Sequence, residues 1–425
     1  MHRTLIFAFL LPLRLFGVDH YVDSASGNDS NNGLTSGTAW RSFNKPTNSV
    51  NVGANDRVLL QGTWSEAFYM PTNGVELLSF GTGATIDGTG VSNRWGVLTT
   101  PYSNTWTHGL TIKNVHGATP PNETGALWQN DAGTNTITDC TLDNHVTDDN
   151  VAINESGVGI VSNCFILNAS DQGVTMHTVG PNTLAIIKNC TISNCLEAFK
   201  NSGAPMTIVV SDCTMVNNGH DVDSLDGAVG TFTRCRFLGR SDSTAWSFVK
   251  ASVTNQTYSY CLFDCSRSSS GQSGPAVTVQ AQTTVFNNCV FYGGASGGDI
   301  GSMTVSDGAT CNMTNCIINR WWRGAFLGTG SVLNMDHCMT NTVSTGSQTV
   351  NVNKVAGTPS FVNAGSDFHL NAGSAAIGAG LNLGIALDLD NSAVVNPPSL
   401  GVFEFGARLT KQLSGKVQIS GKGLL

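Results

Sequence analysis

One cysteine position recurs through the middle of this 425-residue chain at intervals of 22 to 28 residues, and this repeat limits the possible folds most strongly. The series takes up nine of the 12 cysteines, namely Cys140, Cys164, Cys190, Cys213, Cys235, Cys261, Cys289, Cys316 and Cys338. The residue two positions later is usually apolar, as in Leu142 and Ile166. A period that drifts by a few residues is typical of stacked coils whose turns differ in length. The same frame fits 109–116 with Val115 in the cysteine position, so the coils are expected to begin before the cysteines do.

The residue before each of these cysteines predicts a corner of the coil. It is often Asn or Asp, as at Asp139 and Asn189, and these side chains hydrogen-bond nearby backbone and tolerate left-handed conformations. Alternating runs such as 184–188 and 206–210 lie just upstream and indicate strands with one buried face. Each coil is therefore predicted to run through a strand, a corner, a short strand, a loop and a third strand. The predicted fold is all-β, a single-stranded right-handed parallel β-helix with N- and C-terminal caps.

The cysteines also admit a disulfide framework or a metal site. Nine of the 12 share one inward position, where parallel side-chain vectors fit disulfide geometry poorly and small apolar thiols stack well. We therefore expect a reduced, buried ladder. Cys195, Cys265 and Cys311 lie outside the series and are the better disulfide candidates, with no pairing indicated. Zinc is not expected, because no Cys-x-x-Cys pair faces a second pair or two histidines.

Charge and the first residues bear on partners and location. A formal net charge of -8 argues against nucleic acid or an anionic membrane as partner, because both attract concentrated basic surfaces. His2 and Arg3 precede an apolar run at 4–13 that is too short to span a bilayer. Residues 1–17 are therefore interpreted as a signal peptide cleaved near Gly17, and the protein as secreted. No later apolar stretch approaches the length of a membrane span.

Two terminal segments resemble a known superfamily. The segments that carry the resemblance are 21–33 and 38–43 at the start, and 359–363, 367–380, 388–390 and 401–404 at the end. They resemble the opening and closing segments of secreted parallel β-helix proteins of the pectate lyase-like superfamily, which includes polysaccharide lyases and chondroitinase B-like relatives. That superfamily also holds hydrolases, adhesins and phage tail proteins, so the resemblance implies fold and secretion more than one activity.

The resemblance and the repeat together divide the chain. The predicted parts are a signal peptide at 1–17, a β-helix domain at 18–405, and a C-terminal tail at 406–425. The domain comprises a cap at about 18–57, coils at about 58–355 and a closing segment at about 356–405. The oligomeric state stays open.

The superfamily's polysaccharide sites lie in a groove along one parallel sheet. Aligning the strand that follows each post-cysteine loop predicts one outward row of polar side chains, formed by Gln129, Asn154, His177, Lys200, Lys250 and Gln280. In this alignment His177 and Lys200 are direct neighbours, and one coil separates Lys200 from Lys250. Trp128 and Glu155 are further candidates for substrate contact.

This row predicts a lyase for uronate-containing polysaccharides as the first choice. Such enzymes remove the proton α to a uronate carboxylate and then expel the glycosidic oxygen, and the carboxylate must be neutralised for that proton to be acidic. In the families that the chain resembles, Lys or Arg is the base. Lys200 is the expected base, because neighbouring cations would lower its proton affinity. His177 and Lys250 would bind the carboxylate, with Lys250 also the alternative base.

Carboxylates near the starts of the same strands suggest calcium, which prefers oxygen ligands. The candidate ligands are Asp149, Asp171, Glu197 and Asp226. The sequence contains no EF-hand-type calcium loop, so the clustering alone indicates the metal. An organic cofactor is not expected.

Two alternatives remain from the sequence. Asp148 and Asp149 resemble the aspartate pair of polygalacturonase-type hydrolases, in which paired carboxylates supply acid and base. The adjoining segments 122–125 and 171–173 depart from that family's motifs. A non-catalytic carbohydrate-binding adhesin or phage-type fibre is the other alternative. It would use Trp128, Trp246, Trp321 and Trp322 to stack on sugar rings wherever these side chains face outward.

Overall fold

The computed structural model describes most of the chain between residues 17 and 406. The described ranges are 17–89, 97–114, 126–131, 133–145, 149–154, 157–177, 183–201, 206–225, 227–239, 247–252, 255–266, 277–280, 282–293, 303–319, 325–340 and 349–406. For parts of some strands, including Asn154, His177 and 247–252, only the backbone is described. The predicted signal peptide, apart from Gly17, and the tail from residue 407 onward lie outside these ranges.

The coils form three faces, and the strands within each face pair in parallel. The first face contains β1 (Asp19–Asp23), β2 (Arg57–Trp64), β4 (Glu76–Asp87), β6 (Trp106–His108), β9 (Thr134–Thr138), β12 (Val158–Ser162), β15 (Thr183–Lys188), β18 (Met206–Ser211), β21 (Ala228–Thr233), β24 (Gln256–Ser259), β27 (Thr283–Asn287), β30 (Thr310–Thr314), β33 (Val332–Asp336) and β35 (Thr349–Val352). The second face contains β7 (Leu110–Lys113), β10 (Thr141–Asp143), β13 (Phe165–Leu167), β16 (Thr191–Ser193), β19 (Thr214–Val216), β22 (Arg236–Leu238), β25 (Leu262–Asp264), β28 (Val290–Tyr292), β31 (Ile317–Asn319) and β34 (Met339–Thr340). These two faces join into one 24-stranded sheet.

The third face is a separate 11-stranded sheet. Its strands are β3 (Phe68–Tyr69), β5 (Leu98–Thr100), β8 (Ala126–Asn130), β11 (Asp149–Asn154), β14 (Gln172–His177), β17 (Glu197–Asn201), β20 (His220–Leu225), β23 (Ser247–Ser252), β26 (Val277–Gln280), β29 (Met303–Val305) and β32 (Ala325–Leu327). This order of strands confirms the predicted all-β solenoid of stacked coils.

The corners confirm the repeat that the sequence predicts. All nine residues that precede a ladder cysteine have a positive φ, between 48° and 57°. They include Asp139 and Asn189, and also Arg234, Tyr260 and His337, which lack the preferred side chain. The coil imposes the left-handed corner even on residues that adopt it reluctantly, since the strands on both sides are fixed by their neighbours.

The start of the ladder is one corner earlier than the sequence suggests. Ile112 pairs with Leu142, two residues after Cys140, so Leu110 occupies the cysteine position. The Leu110 N–H lies 3.5 Å from Cys140 Sγ. The assignment of Val115 to that position is wrong, because Gly109, with φ of 72°, forms the corner that Asn or Asp forms elsewhere.

The cysteine ladder is buried and reduced. All 12 cysteines are free and buried, including Cys195, Cys265 and Cys311, which were the better disulfide candidates. Ladder thiols donate to backbone carbonyls: Cys190 Sγ lies 3.3 Å from the Lys188 oxygen and 3.7 Å from the Val161 oxygen of the previous coil. Each thiol is therefore partnered inside the core, which offsets the cost of burying a polar hydrogen.

A second apolar core lies between the coils and the closing segment. The outward side chains Leu262, Val290 and Ile317 pack against Phe368 and Leu400 of this segment. The segment begins its return with an antiparallel pair, β36 (Phe361–Asn363) and β37 (Asp367–Leu370). It covers apolar residues that would otherwise face solvent on the second face.

At the other end, β1 pairs in parallel with β2 and covers the first edge of the coils. A short 3₁₀ helix, Ser36–Thr38, lies in this cap. The His20 ring stacks on Trp40 at 5.2 Å and bonds Asp56 at 3.0 Å. Within the described part of the chain, no helix has the length and apolar character needed to cross a bilayer.

Candidate functional site

Strand register on the third face defines one row of aligned residues. We call this the outer row, and in strand order it consists of Tyr69, Thr99, Gln129, Ala152, Thr175, Lys200, Asp223, Lys250, Thr278, Thr304 and Phe326. The valines and other apolar residues immediately before these positions, such as Val174 and Phe199, point into the core. The register places Lys200 and Lys250 in one row with a single strand between them, as the sequence predicted.

The predicted neighbours within the row are wrong in part. Lys200 pairs with Thr175, whereas His177 pairs with Asn154 two residues further along the strand. Gln280 likewise lies beside Ser252 and not beside Lys250. The shift is two residues, so the side of the sheet is preserved while the row changes. The shift arises because neighbouring strands are aligned at their inward apolar residues, such as Val174 and Phe199, and extend by different numbers of residues beyond them.

Lys200 is surrounded by carboxylates. Its Nζ lies 2.9 Å from Oε2 and 3.2 Å from Oε1 of Glu197. Burial lowers the pKa of Lys200, but the hydrogen bond and charge of Glu197 and the charges of Asp171 and Asp223 outweigh this effect, so the pKa is raised. The expectation that cationic neighbours lower the proton affinity of Lys200 is therefore wrong. Lys200 carries its charge at neutral pH, and its role as a base stays an untested prediction.

Gln172 holds these carboxylates in place. Its Nε2 donates to Glu197 Oε2 at 3.1 Å and to Asp171 Oδ1, and its backbone N–H donates to Asp149 Oδ1 at 3.1 Å. Through its side chain and its backbone N–H, this one residue contacts three of the side chains that the sequence proposed as calcium ligands.

Glu197 is the buried acid of the group. Burial raises its pKa, and a hydrogen bond with Asp223 raises it further, while Lys200 and Gln172 act in the opposite direction. Two carboxyl groups in hydrogen-bond contact hold one proton between them most easily. Glu197 can therefore carry a proton at a pH where an exposed glutamate has lost it.

The calcium prediction is not tested by this arrangement. Among the residues that the structure describes, no group of three or more His, Cys, Asp or Glu side chains is arranged to hold a metal ion. Asp226, the fourth proposed ligand, lies outside the described residues.

The other proposed substrate contacts have different outcomes. Trp128 is wrong as a sugar-stacking residue, because its side chain is fully buried in the core. Gln129 lies in the outer row but is covered, and its Nε2 donates to Asp131 at 2.6 Å. Gln280 is exposed at an open depression that Thr304 and Asp307 also line. Glu155, Asp148, Trp246, Trp321 and Trp322 lie outside the described residues.

A second buried acid, Asp221, lies in the strand that carries Asp223. Asp221 accepts a hydrogen bond from Asn218 Nδ2 at 2.8 Å, and burial raises the pKa of Asp221 to about 8. The Asn218 side chain also accepts the Cys195 N–H at 2.9 Å. Asp221 is therefore protonated at neutral pH in the interior of the coil.

Asp223 and Gln172 are the residues that sequence reasoning failed to place in the site. Val222 was the available signal, because an apolar residue immediately precedes the outer-row residue in β14, β17, β20, β23 and β26 alike.

Comparison with known proteins supports the fold. No family model and no curated protein matches the sequence. The structure of XylC in complex with xylose matches with a TM-score of 0.50 at 8% identity, covering 91% of this chain and 98% of that one. The protein is a right-handed parallel β-helix.

Two other solved structures match this β-helix over most of its length. Pectate lyase Pel9A has a TM-score of 0.49 at 16% identity, covering 92% of this chain and 96% of its own. A rhamnogalacturonan lyase has a TM-score of 0.44 at 13% identity, covering 82% of this chain and 91% of its own. At these identities the likeness concerns the fold, and the activity has to be argued from the site.

Proposed function

We propose that this protein is a secreted lyase that cleaves a uronate-containing polysaccharide by β-elimination on the outer row of the third face. The observation that carries the proposal is the sequence of charges Lys200, Asp223 and Lys250 on consecutive strands, with Lys200 held in its charged form. An ammonium group on a sheet face suits the carboxylate of a uronate, because it neutralises the charge that opposes loss of the neighbouring proton.

In this mechanism Lys200 binds the uronate carboxylate. The raised pKa of Lys200 suits this role better than that of the base, which must be unprotonated. We therefore assign the base to Lys250, the alternative from the sequence, whose backbone lies two strands from Lys200. Lys250 takes the proton α to the carboxylate, the electron pair forms the carbon–carbon double bond, and the glycosidic carbon–oxygen bond breaks.

Glu197 supplies the proton for the departing oxygen. Its pKa is raised by burial and by Asp223, so the carboxyl group is available in its acid form. When Glu197 is protonated, its charge no longer competes with the substrate for Lys200, and the charges of Asp171 and Asp223 still favour the ammonium form of Lys200. The substrate thus loses a proton to Lys250 and gains one from Glu197 on the same face of the protein. After the reaction Lys250 is protonated and Glu197 is ionised, so transfer of a proton from Lys250 to Glu197 restores the starting state.

The hydrolase alternative rests on Asp148 and Asp149, and it stays a prediction because Asp148 lies outside the described residues. Glycosidases place their two carboxyl groups about 5 to 5.5 Å or about 6.5 to 9.5 Å apart. The other carboxyl pair of the site does not suit this reaction, because Glu197 and Asp223 are in direct hydrogen-bond contact.

The test is an assay on a panel of uronate polysaccharides, with and without a chelator. New ultraviolet absorbance from an unsaturated sugar supports the lyase. Reducing ends without absorbance indicate a hydrolase, retention without product indicates a binding protein, and loss of activity with chelator indicates a metal.

Two variants and one control assign the roles. Lys250→Met is expected to lower kcat by about 100-fold or more, the usual contribution of a general base. Lys200→Met is expected to lower kcat/KM mainly through weaker binding. Lys188→Met, an exposed lysine on the first face, serves as the control. Full activity in Lys250→Met would overturn the assignment, and if only Lys200→Met is inactive, Lys200 is the base.

A further inference from the structure

The first face carries an apolar patch on its outward side. We call it the first-face patch, and it lies on the consecutive strands β12, β15, β18 and β21 and consists of Val158, Ile160, Leu184, Ile186, Val209 and Val229. Burial alternates along each of these strands, so the six side chains point away from the core, and Val229 is 47% exposed. Contiguous apolar surface of this kind is typical of an interaction site.

The chain covers the corresponding surface of its second face. There the outward side chains Leu262, Val290 and Ile317 are at most 5% exposed, because the closing segment packs on them. Within the described residues, the apolar cluster around the closing segment draws its strand residues from the second face and none from the first. The closing segment therefore leaves the first-face patch available to a partner.

The row of residues through the middle of the patch is uncharged. Register aligns this row across ten strands, from Trp106 of β6 to Asn334 of β33, and none of its members carries a charge. The whole chain has a formal net charge of -8, so two copies repel each other wherever their charged surfaces meet. An uncharged face avoids this repulsion, and the cores of protein interfaces are depleted of charged residues in the same way.

The size of this face suits a pair of chains. Strands that lie about 4.8 Å apart and advance about 3.3 Å per residue give ten strands of about five residues an area of roughly 750 Å². A stable interface buries about 800 Å² on each partner. The area that the first face offers is therefore close to what a dimer needs.

The position of one lysine selects the arrangement of the two copies. Lys188, at the corner end of β15, is the only charged residue on the outward side of the four patch strands. A two-fold axis parallel to the strands, between β15 and β18, places Ile186 of one copy opposite Val209 of the other and Lys188 opposite Ser211. An axis along the solenoid would instead bring Lys188 against its own copy, and contact between like charges opposes association.

The patch lacks the residues that other apolar binding faces use. Trp106 is the only aromatic residue in the middle row, whereas sugar rings are usually held by stacking on several aromatic side chains. Lys188 is the only cation on the outward side of the patch strands, whereas surfaces that lie on membranes combine apolar residues with several basic ones.

We propose that two copies of this chain associate through their first-face patches, with their solenoid axes antiparallel. The outer row lies on a separate sheet, so the dimer leaves the proposed substrate site uncovered. The inference goes beyond the proposed function, and its test uses no polysaccharide.

The experiment is sedimentation equilibrium of the full chain at about 1 and about 50 µM, a range that brackets a micromolar dissociation constant. The wild-type protein is expected to have twice the mass of one chain at the higher concentration. Val209→Lys places a cation beside the axis in both copies and is expected to raise the dissociation constant at least about 100-fold. Ile186→Lys, which faces the same position of the other copy, should do the same.

Phe165→Lys is the matched control, because Phe165 is an apolar residue that is 50% exposed on the second face, outside the patch. It should leave the dissociation constant unchanged. Circular dichroism verifies that each variant is folded, and if one lysine variant does not fold, the other decides.

Three results would overturn the inference. They are a wild-type protein that is monomeric or trimeric at about 50 µM, a dimer that both lysine variants leave intact, and a dimer that Phe165→Lys disrupts as strongly. A monomeric wild type that dimerises once residues 407–425 are removed would also overturn it, because the tail would then be the occupant of the patch.

Discussion

At the scale of single residues, the strand that holds a side chain was easier to predict than its neighbours on adjacent strands. The sequence predicted that Lys200 and Lys250 face outward, because alternation along a strand fixes the side on which a side chain lies. The neighbours of Lys200 were wrong, since they depend on alignment with strands about two dozen residues away along the chain. The observed alignment places Asp223 next to Lys200. The charged neighbours of Lys200 are therefore carboxylates and not the cationic side chains that the sequence predicted.

Asp221 gives a prediction at this scale. Burial raises the pKa of Asp221 from 3.8 to about 8, so the folded protein binds a proton that the unfolded chain loses near pH 4. Stability from this group is complete below about pH 4 and is lost as the pH rises toward about 8. Asp221→Asn mimics the protonated side chain and should raise the free energy of unfolding at pH 8 by a few kcal/mol.

Denaturant unfolding of both proteins at pH 4.5, 6.5 and 8.5 checks this expectation. The gain of Asp221→Asn over the wild type should increase with pH across the series. A gain that is constant with pH, or a loss at pH 8.5, would contradict the buried, protonated state of Asp221.

At the scale of elements, strand boundaries were predictable where a corner has a distinctive sequence. The cysteine and its preceding residue predicted the boundary between the first and second faces in every described coil that contains them. They could not predict the earlier coils, where Gly109 and Leu110 fill the same positions. A glycine is compatible with many turns and therefore gives a weaker signal than Asn-Cys.

The ladder gives an element-scale prediction about its thiols. Because all 12 cysteines are free and buried, the native protein should react with almost no thiol reagent within minutes. In denaturant all 12 should react. Counting thiols with a chromogenic reagent, with and without denaturant and without reductant, measures both values. A denatured count of ten or fewer would show that at least one disulfide exists.

The closing segment gives a second prediction at this scale. His369 contacts Asp367 through Nδ1 at 2.6 Å and Asp390 through Nε2 at 2.9 Å. Both nitrogens can donate only in the imidazolium form. The hydrogen bond to Asp390 raises the pKa of His369 most, burial lowers it, and Asp367 raises it further. Arg236, which bonds Asp390 at 3.1 Å, and Asp264 face the same cluster.

Stability from this cluster is therefore complete below about pH 6 and is lost as the pH rises through the raised pKa of His369. The wild type should lose stability on the order of 1 kcal/mol between pH 6 and pH 9 that His369→Gln does not lose. Thermal melts of both proteins across this range measure the difference. If the stabilities of the two proteins change with pH in the same way, the charged His369 does not stabilise this cluster.

At the scale of the whole molecule, the fold follows from the repeat and the site follows from the stacking of coils. Each coil buries little by itself, so the repeated inward positions predict the solenoid in one step. The outer row is harder to predict, because its charged residues come from separate strands, β17, β20 and β23. Each of these strands starts after a loop of different length. The closing segment was recognised from its resemblance, while the apolar residues of the second face that it covers became evident only from the packing.

The central claim is that a polysaccharide lies along the outer row with a uronate carboxylate bound at Lys200. The most direct test is a crystal structure of Lys250→Ala with a bound uronate-containing oligosaccharide. We expect the sugar chain to cross β17, β20 and β23, with one uronate carboxylate within hydrogen-bond distance of Lys200 Nζ. Sugar bound on another surface, such as the pocket between Arg236 and Phe403, with the outer row empty, would contradict the account.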